Sequence, residues 1–294
     1  MALGIGIEYN PGSWKICLSE NGQLIECQIF EQLATTLVYI ERLCTLYPEP
    51  LMVFTAPWET PFLSASEITD WSAVDGYPAS RFLPEQADFL ETLRTFSKVS
   101  SQTYCLPSLM YLQTIPAYRR SYRTDLGTSR SLSQVAYLLF RLREQGAGWD
   151  EMNFFFLEVS QFSWSITVIK EGRIVDGILP HVDFRGEDDQ VEEAELALWE
   201  GLTRGLIGLK EIHQLGDIVL MGERSEAVMK RFEQSYQFYA FPAPPAEQNM
   251  MVAAHGASLL AEGLETHGSP AELVAWLKIQ ANNEDNQASV SSVG

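Results

Sequence analysis

Residues 4–26, GIGIEYNPGSWKICLSENGQLIE, read as a strand, a turn at Asn10-Pro11-Gly12, a second strand, a turn at Asn21-Gly22 and a third strand. Apolar residues alternate along each stretch, and Pro-Gly and Asn-Gly favour tight reversals, so the pattern is a three-stranded meander over residues 3–9, 13–19 and 23–29. The same design recurs at mid-chain. FFFLEVSQFSWSITVIKEGRIVDG lies on the first meander without a gap at an offset of 150, placing Glu158 on Glu8, Ser163 on Ser13, Trp164 on Trp14, Ile166 on Ile16 and Gly172 on Gly22. Ile174, Val175 and Asp176 then fall over Leu24, Ile25 and Glu26. Matching turn, strand length and hydrophobic phase point to an internal duplication. Two copies of one α/β unit imply a cleft between them, and clefts at domain interfaces are where ligands usually bind.

The length of 294 residues also suits two domains of ordinary size. With 20 Lys+Arg against 39 Asp+Glu the formal charge is -19, which argues against a nucleic-acid or anionic-membrane partner, since both need clustered cations. Cys17, Cys27, Cys44 and Cys105 form no C-x-x-C pair and no metal spacing with the four histidines, so they read as reduced thiols of a cytoplasmic protein. No signal peptide opens the chain, and the longest apolar runs fall far short of the roughly 20 residues a bilayer needs.

Between the meanders the pattern predicts a helix over 32–46, a buried strand over Leu51–Thr55, a helix over 84–98, a short strand over 103–106 and a helix from about Thr128, ended by Gly146–Trp149. Residues 58–84 carry Trp58, Phe62, Trp71, Tyr77 and Phe82 among Pro and Gly, the composition of an irregular aromatic insertion that serves either as a lid or as a dimer surface. The organisation expected is a first domain over 1–148, a second over 149–281 and a disordered polar tail over 282–294. In the second domain an acidic stretch starts a long helix, Asp217–Met221 is a strand closed by Gly222-Glu223, Ser225–Glu233 is helical, 242–245 is a linker, and MMVAAHGASLLAEGL is a small-residue helix.

This order of elements, with a carboxylate ending the first strand of each meander and an AAHGA helix near the end, resembles the acetate and sugar kinase, heat-shock chaperone and actin superfamily. The resemblance implies an α/β fold of two ribonuclease H-like domains with mixed sheets around an interdomain nucleotide cleft. TIPAYRRSYRTDLGTSRSLSQVAYLL and GRIVDGI further resemble a mainly archaeal family described as predicted butyrate kinases.

The resemblance implies ATP and Mg²⁺ as cofactors if the protein is active. The acidic group near the first turn is then either Glu8, with Glu158 facing it from the duplicate and both available to a metal, or Asn10, which replaces the superfamily's Asp without its charge. Asn10, Gly12, Ser13, Lys15, Glu158, Ser160, Gly222 and Glu223 are the phosphate- and nucleotide-binding candidates. Arg119, Arg120, Arg123 and Thr128 are the substrate candidates, because arginines ahead of Asp-x-Gly-Thr can cradle a carboxylate or phosphate, and Asp125 is the candidate base. Asp125 or Thr128 equally suits an ordinary helix cap. Where the butyrate kinase pattern has a Lys three residues past the Thr, this chain has Ser131, with Arg130 beside it to supply the charge.

The sequence also departs from the pattern. Val159-Ser160-Gln161-Phe162-Ser163 has no glycine where backbone should approach phosphate, and VLMGERSE keeps a single Gly. Two function classes follow: an ATP-dependent small-molecule kinase with weakened phosphate loops, a carboxylate being one substrate option, or a catalytically inactive kinase-fold scaffold that binds a nucleotide, a metabolite or a partner. Either implies a small-molecule ligand in the cleft, and a homodimer stays open. His255 reads as a satisfied helix histidine, and His181 with Asp183 as a weak metal pair.

Overall fold

The computed structural model describes residues 3–10, 12–47, 50–56, 59–66, 84–123, 125–180, 191–242 and 250–279. Most of the aromatic insertion, the loop with His181 and Asp183, most of the 242–245 linker and the C-terminal tail lie outside them. The first meander is β1 (Leu3–Asn10), β2 (Ser13–Glu20) and β3 (Gln23–Phe30); then come α1 (Leu33–Leu46), β4 (Leu51–Thr55), β5 (Leu63–Ser64), α2 (Pro84–Val99) and β6 (Thr103–Cys105). A 3-10 turn (Leu109–Tyr111), α3 (Ala117–Tyr122) and α4 (Ser129–Glu144) lead to the second meander, β7 (Phe154–Val159), β8 (Trp164–Lys170) and β9 (Arg173–Ile178). The chain continues through α5 (Val191–His213), β10 (Asp217–Met221), α6 (Ser225–Phe232), β11 (Gln237–Ala240), α7 (Val252–Glu265) and α8 (Ser269–Leu277).

The first sheet has the order β3-β2-β1-β4-β6-β5 and the second β11-β10-β7-β8-β9. In each, the meander is antiparallel and the next strand lies parallel to the first strand of the meander. This is the ribonuclease H-like topology, present twice. The duplication extends to register: Glu8 pairs with Lys15 and Glu158 with Ser165, Tyr9 with Trp14 and Val159 with Trp164. Even the irregularity in the second hairpin repeats, between Leu18 and Ser19 in one copy and between Val168 and Ile169 in the other. A bulge is a local feature of one strand pair, so its recurrence at the same offset is hard to reach by shared strand preferences alone.

Strand alternation divides β1 into two faces. Ile5, Ile7 and Tyr9 enter an outer core with Ile40 of α1 and Phe89, Leu93 and Phe96 of α2. Gly4, Gly6 and Glu8 face inward, where α7 lies so close that a Cβ on Gly4 would stand 2.2 Å from the Ser258 carbonyl oxygen and one on Gly6 2.1 Å from that of Ala254. Helix α7 presses as closely on α4, since a Cβ on Gly256 would meet the Ser133 carbonyl oxygen at 1.8 Å. The small residues of AAHGA are thus spent on backbone-to-backbone packing. In the second sheet Phe155 and Leu157 point outward to α5 and α6, and Phe154 and Phe156 inward to a core shared with α4, α7 and α8. Helices α4 and α7 therefore lie between the two inner faces, and Glu8 and Glu158 end β1 and β7 on those faces.

The cysteine expectation is corrected in part. Cys17 and Cys27 stand opposite each other on β2 and β3 and are joined in a disulfide, while Cys44 and Cys105 are free. The sequence separation of ten residues carries no motif, and only the hairpin register brings the two sulfurs together. Among the described residues no helix is long and apolar enough to cross a membrane.

Candidate functional site

Glu8 is almost fully buried, at 1% exposure, and its carboxylate meets Arg130 from the first turn of α4, whose Nε donates to Glu8 Oε1 at 2.9 Å. The other two nitrogens of the same guanidinium donate to Glu158, Nη1 to Oε2 and Nη2 to Oε1, both at 2.9 Å. One arginine thus bridges the carboxylates of the two duplicated strands, with the bidentate fork on Glu158. Burial works against its charge, but Glu158 and Glu8 outweigh that and hold the guanidinium's pKa above its ordinary value. Asn10 Nδ2 donates to Glu8 Oε1 at 3.3 Å, Lys15 Nζ stands 3.6 Å from Glu8 Oε2, and Gln134 Nε2, one helical turn beyond Arg130, donates to Glu158 Oε1 at 2.9 Å. All four carboxylate oxygens are engaged, and two acids balance two cations.

This network floors a cavity of about 640 Å³, within the range of small-molecule pockets. Glu8, Lys15, Glu158, Ser160, Gly222 and Glu223 line it together, all nominated from the sequence. Its other wall is apolar, with Leu220, Met229, Tyr239, Phe241, Met250 and Val252. Gly222 is required here: it has φ +116°, and a Cβ on it would stand 2.1 Å from the Val159 carbonyl oxygen, so only glycine lets the loop after β10 lie against the end of β7.

The remaining candidates are placed elsewhere. Asn10 pairs with Ser13 across a two-residue turn, and neither Gly12 nor Ser13 lines the cavity. The opposite turn is tied to itself, with the Ser160 and Ser163 hydroxyls 2.6 Å apart and the Ser160 amide donating to the Ser163 carbonyl at 2.9 Å. Arg119, Arg120, Arg123, Asp125 and Thr128 are also not among the cavity's lining residues. Arg119 Nη1 lies 2.8 Å from Oδ2 of the fully buried Asp176 of β9, Arg123 Nη1 lies 3.7 Å from its Oδ1, and His213 Nε2 reaches Oδ2 at 2.8 Å. Arg123 also forks onto Asp125, with bonds of 2.9 and 2.8 Å. Burial opposes the charge of Arg123 too, yet the hydrogen bond and charge of Asp125, together with Asp176, keep its pKa raised. The capping expectation is corrected: Thr128 occupies the N-cap position of α4 without a side-chain cap bond, and Asp125 is turned to Arg123.

Sequence reasoning named Arg130 only as a replacement charge and missed Gln134. Their i, i+4 spacing on a helix predicts a shared face, but not that the face meets two strand ends. His255, expected as a satisfied helix histidine, is buried against the Tyr137 ring at 4.9 Å, and its Nε2 has no hydrogen-bond partner among the described residues. Burial, with a smaller contribution from Arg141, pushes its pKa down to about 4. It is a neutral core residue.

A family model described as protein of unknown function (DUF1464) matches residues 29–198, more than half of the chain. The chain belongs to this family. The match takes in α4 and β7, so Arg130, Gln134 and Glu158 lie inside the family's span, while Glu8 and Lys15 precede it. No curated protein matches the chain by sequence. Among solved structures the chain is similar to an inorganic polyphosphate/ATP-glucomannokinase from Arthrobacter sp. strain KM, at 12% identity, TM-score 0.47 and coverage of 89% of this chain and 98% of that one. It is similar as well to a ROK hexokinase from Thermus thermophilus, at 12% identity, TM-score 0.47 and coverage of 90% and 98%. An acetate kinase from Entamoeba histolytica aligns at 8% identity and TM-score 0.49, covering 79% of this chain and 87% of that one. Likenesses this distant carry no substrate to the DUF1464 chain, whose fold rests on its own strand order and register.

Proposed function

We propose that this protein is a non-catalytic kinase-fold relative that binds a small molecule in the cavity between its two sheets and does not transfer a phosphoryl group. The observation that carries the reading is Arg130, which takes the inner carboxylates of both duplicated strands at once. Phosphoryl transfer from ATP relies on a metal ion that bridges β- and γ-phosphate oxygens and neutralises the charge developing on them. Mg²⁺ demands near-octahedral oxygen ligands and is held by one or two carboxylates together with the phosphates. Here Glu8 and Glu158 already give their oxygens to Arg130, Lys15, Asn10 and Gln134, and no group of three or more acidic, His or Cys side chains suited to a metal occurs among the described residues. The donor set does not fit Mg²⁺.

The two turns support the same reading. A two-residue reversal after Asn10 and a self-bonded serine turn after Val159 leave no glycine-rich loop to wrap phosphate. The narrower likeness to predicted butyrate kinases would assign Arg119 and Arg123 to a carboxylate substrate, and the carboxylate they hold is the protein's own Asp176. A cytoplasmic location belongs to the proposal, with Cys17 and Cys27 there facing a reducing pool that disfavours their bond. Incubating the protein with ATP, Mg²⁺ and butyrate, acetate or glucose should release no ADP above a protein-free control. ADP release that disappears in Glu8→Gln would overturn the reading.

A further inference from the structure

Cys17 and Cys27 stand opposite each other on β2 and β3 with Cα atoms 4.3 Å apart, the spacing of a non-hydrogen-bonded pair in an antiparallel ladder, and their sulfurs are joined. The duplicated meander supplies an internal comparison. At the offset of 150 the same positions are Thr167 and Gly177, again paired across β8 and β9. There the last strand is held by packing: a Cβ on Gly177 would stand 2.0 Å from the Leu126 carbonyl oxygen, and the Leu179 amide just past β9 donates to the Asp125 carbonyl at 2.6 Å. In the first copy β3 ends its sheet with Ile25 and Ile29 nearly half exposed, and a covalent bond stands where the second copy has that close packing. The hairpin does not need the bond in order to form, since β8 and β9 make the same ladder without one. A link between residues ten apart also restrains the unfolded chain less than a long-range link does. What the bond secures is the attachment of an edge strand, and thiols can open it.

We infer that Cys17 and Cys27 form a reversible thiol–disulfide exchange site that sets how firmly β3 is held, with Cys27 the sulfur that is attacked. Access decides the order: Cys17 has no exposure and packs against Met251 and Ala254 at the start of α7, whereas Cys27 is partly exposed. One thiolate of a dithiol reductant attacks Cys27 Sγ, the bond to Cys17 breaks, and Cys17 leaves as a thiolate that takes up a proton. The second thiol of the reductant then attacks the mixed disulfide and returns Cys27 as a thiol. Two electrons and two protons pass to the protein, and the reductant becomes a disulfide. The freed Cys17 thiol has the Met251 carbonyl oxygen 3.9 Å from Sγ as an acceptor. A small disulfide such as oxidised glutathione runs the sequence in reverse. The other two cysteines are poor exchange partners. Burial pushes the Cys105 thiol up to about 12 against a smaller opposing hydrogen bond from Thr60, and burial with Glu41 raises that of Cys44. In a reducing compartment disulfides are usually transient, catalytic or redox-sensing. The inference holds whether or not the protein transfers a phosphoryl group.

The test incubates the folded full chain with dithiothreitol or with oxidised glutathione, quenches with acid, unfolds it, alkylates with N-ethylmaleimide and weighs the product. Two adducts are expected after oxidised glutathione, on Cys44 and Cys105, and four after dithiothreitol, with repeated interconversion in the absence of urea. Hydrogen exchange on the two forms should show β3 losing protection by about tenfold on reduction, while β9, held by packing, changes by less than about twofold. Cys17→Ser should accumulate a mixed disulfide with glutathione at Cys27, and Cys27→Ser should leave Cys17 unmodified. If either variant fails to fold, the adduct count and the exchange rates of the unmodified protein still decide. A bond that yields to dithiothreitol only after urea is a fixed staple and overturns the inference, as do four adducts after oxidised glutathione. Equal protection of β3 in both forms overturns its role in holding the strand.

Discussion

Two arginine–carboxylate clusters in this molecule use similar residues to opposite ends. Around Asp176, two arginines and a histidine converge on an acid with no exposure, and the partner charges are themselves mostly covered. Around Arg130 the roles are inverted: one arginine, just over a third exposed, holds two acids at the edge of a cavity. In the first cluster the hydrogen-bonding capacity of the acid is consumed internally, which makes it a joint between α3, β9 and α5. In the second, one guanidinium spans the ends of the two duplicated strands beside open volume. The number of charges in a cluster therefore says little about ligand binding, whereas its place, sealed in the core or beside open volume, says a good deal.

The largest effect should come from breaking the closed cluster. Asp176→Asn keeps the shape but leaves Arg119 and Arg123 without their buried counter-charge, and removing one partner of a buried pair typically costs about 3–5 kcal/mol. Urea denaturation should show a loss of that size. A loss below about 1 kcal/mol would mean that solvent reaches the cluster and that its arginines are open to a ligand after all.

Acid sharpens the contrast between the histidines. His213 has the Asp176 carboxylate at 2.8 Å, while His255 Nε2 has no hydrogen-bond partner among the described residues and the imidazole's pKa is pushed down by burial to about 4. With an unfolded value near 6.5, the unfolded chain takes up the His255 proton first as pH falls. Stability is therefore lost between about pH 6.5 and about pH 4, by roughly 3 kcal/mol when the window is fully crossed. Glu262, whose carboxyl is raised by burial, contributes with the opposite sign, so the quantity to measure is the difference in slope between the unmodified protein and His255→Leu. The variant should lack the His255 contribution in that window; parallel slopes would show that His255 is reached by protons in the folded state.

The same contrast explains what the sequence made legible. Strand boundaries, the repeat at an offset of 150 and the positions of Glu8 and Glu158 could be read because period-two alternation and turn residues are local signals. The repeat register set Glu158 over Glu8, and the family resemblance added Lys15, Ser160, Gly222 and Glu223, all of which line the cavity. The roles of the charges were not legible. Arg119, Arg123 and Asp125 sit together in sequence and look like an anion cradle, but Asp176 arrives from a strand more than fifty residues on, and His213 from the end of a long helix. Likewise Gln134 is an ordinary helix residue until the second meander places the Glu158 carboxylate against its amide. Tertiary contacts across the duplication decide which charges are spent and which remain available.

The smallest effect should follow from the residue that local sequence favoured most. Asp125 is about one-third exposed, and its partner Arg123 keeps a contact with Asp176 at 3.7 Å when Asp125 is removed. Partly exposed pairs of this kind contribute about 0.2–1 kcal/mol. Asp125→Ala should therefore lower stability by no more than that in urea denaturation. A loss well above about 1 kcal/mol would mean that Asp125, and not Asp176 alone, holds Arg123 in the closed cluster.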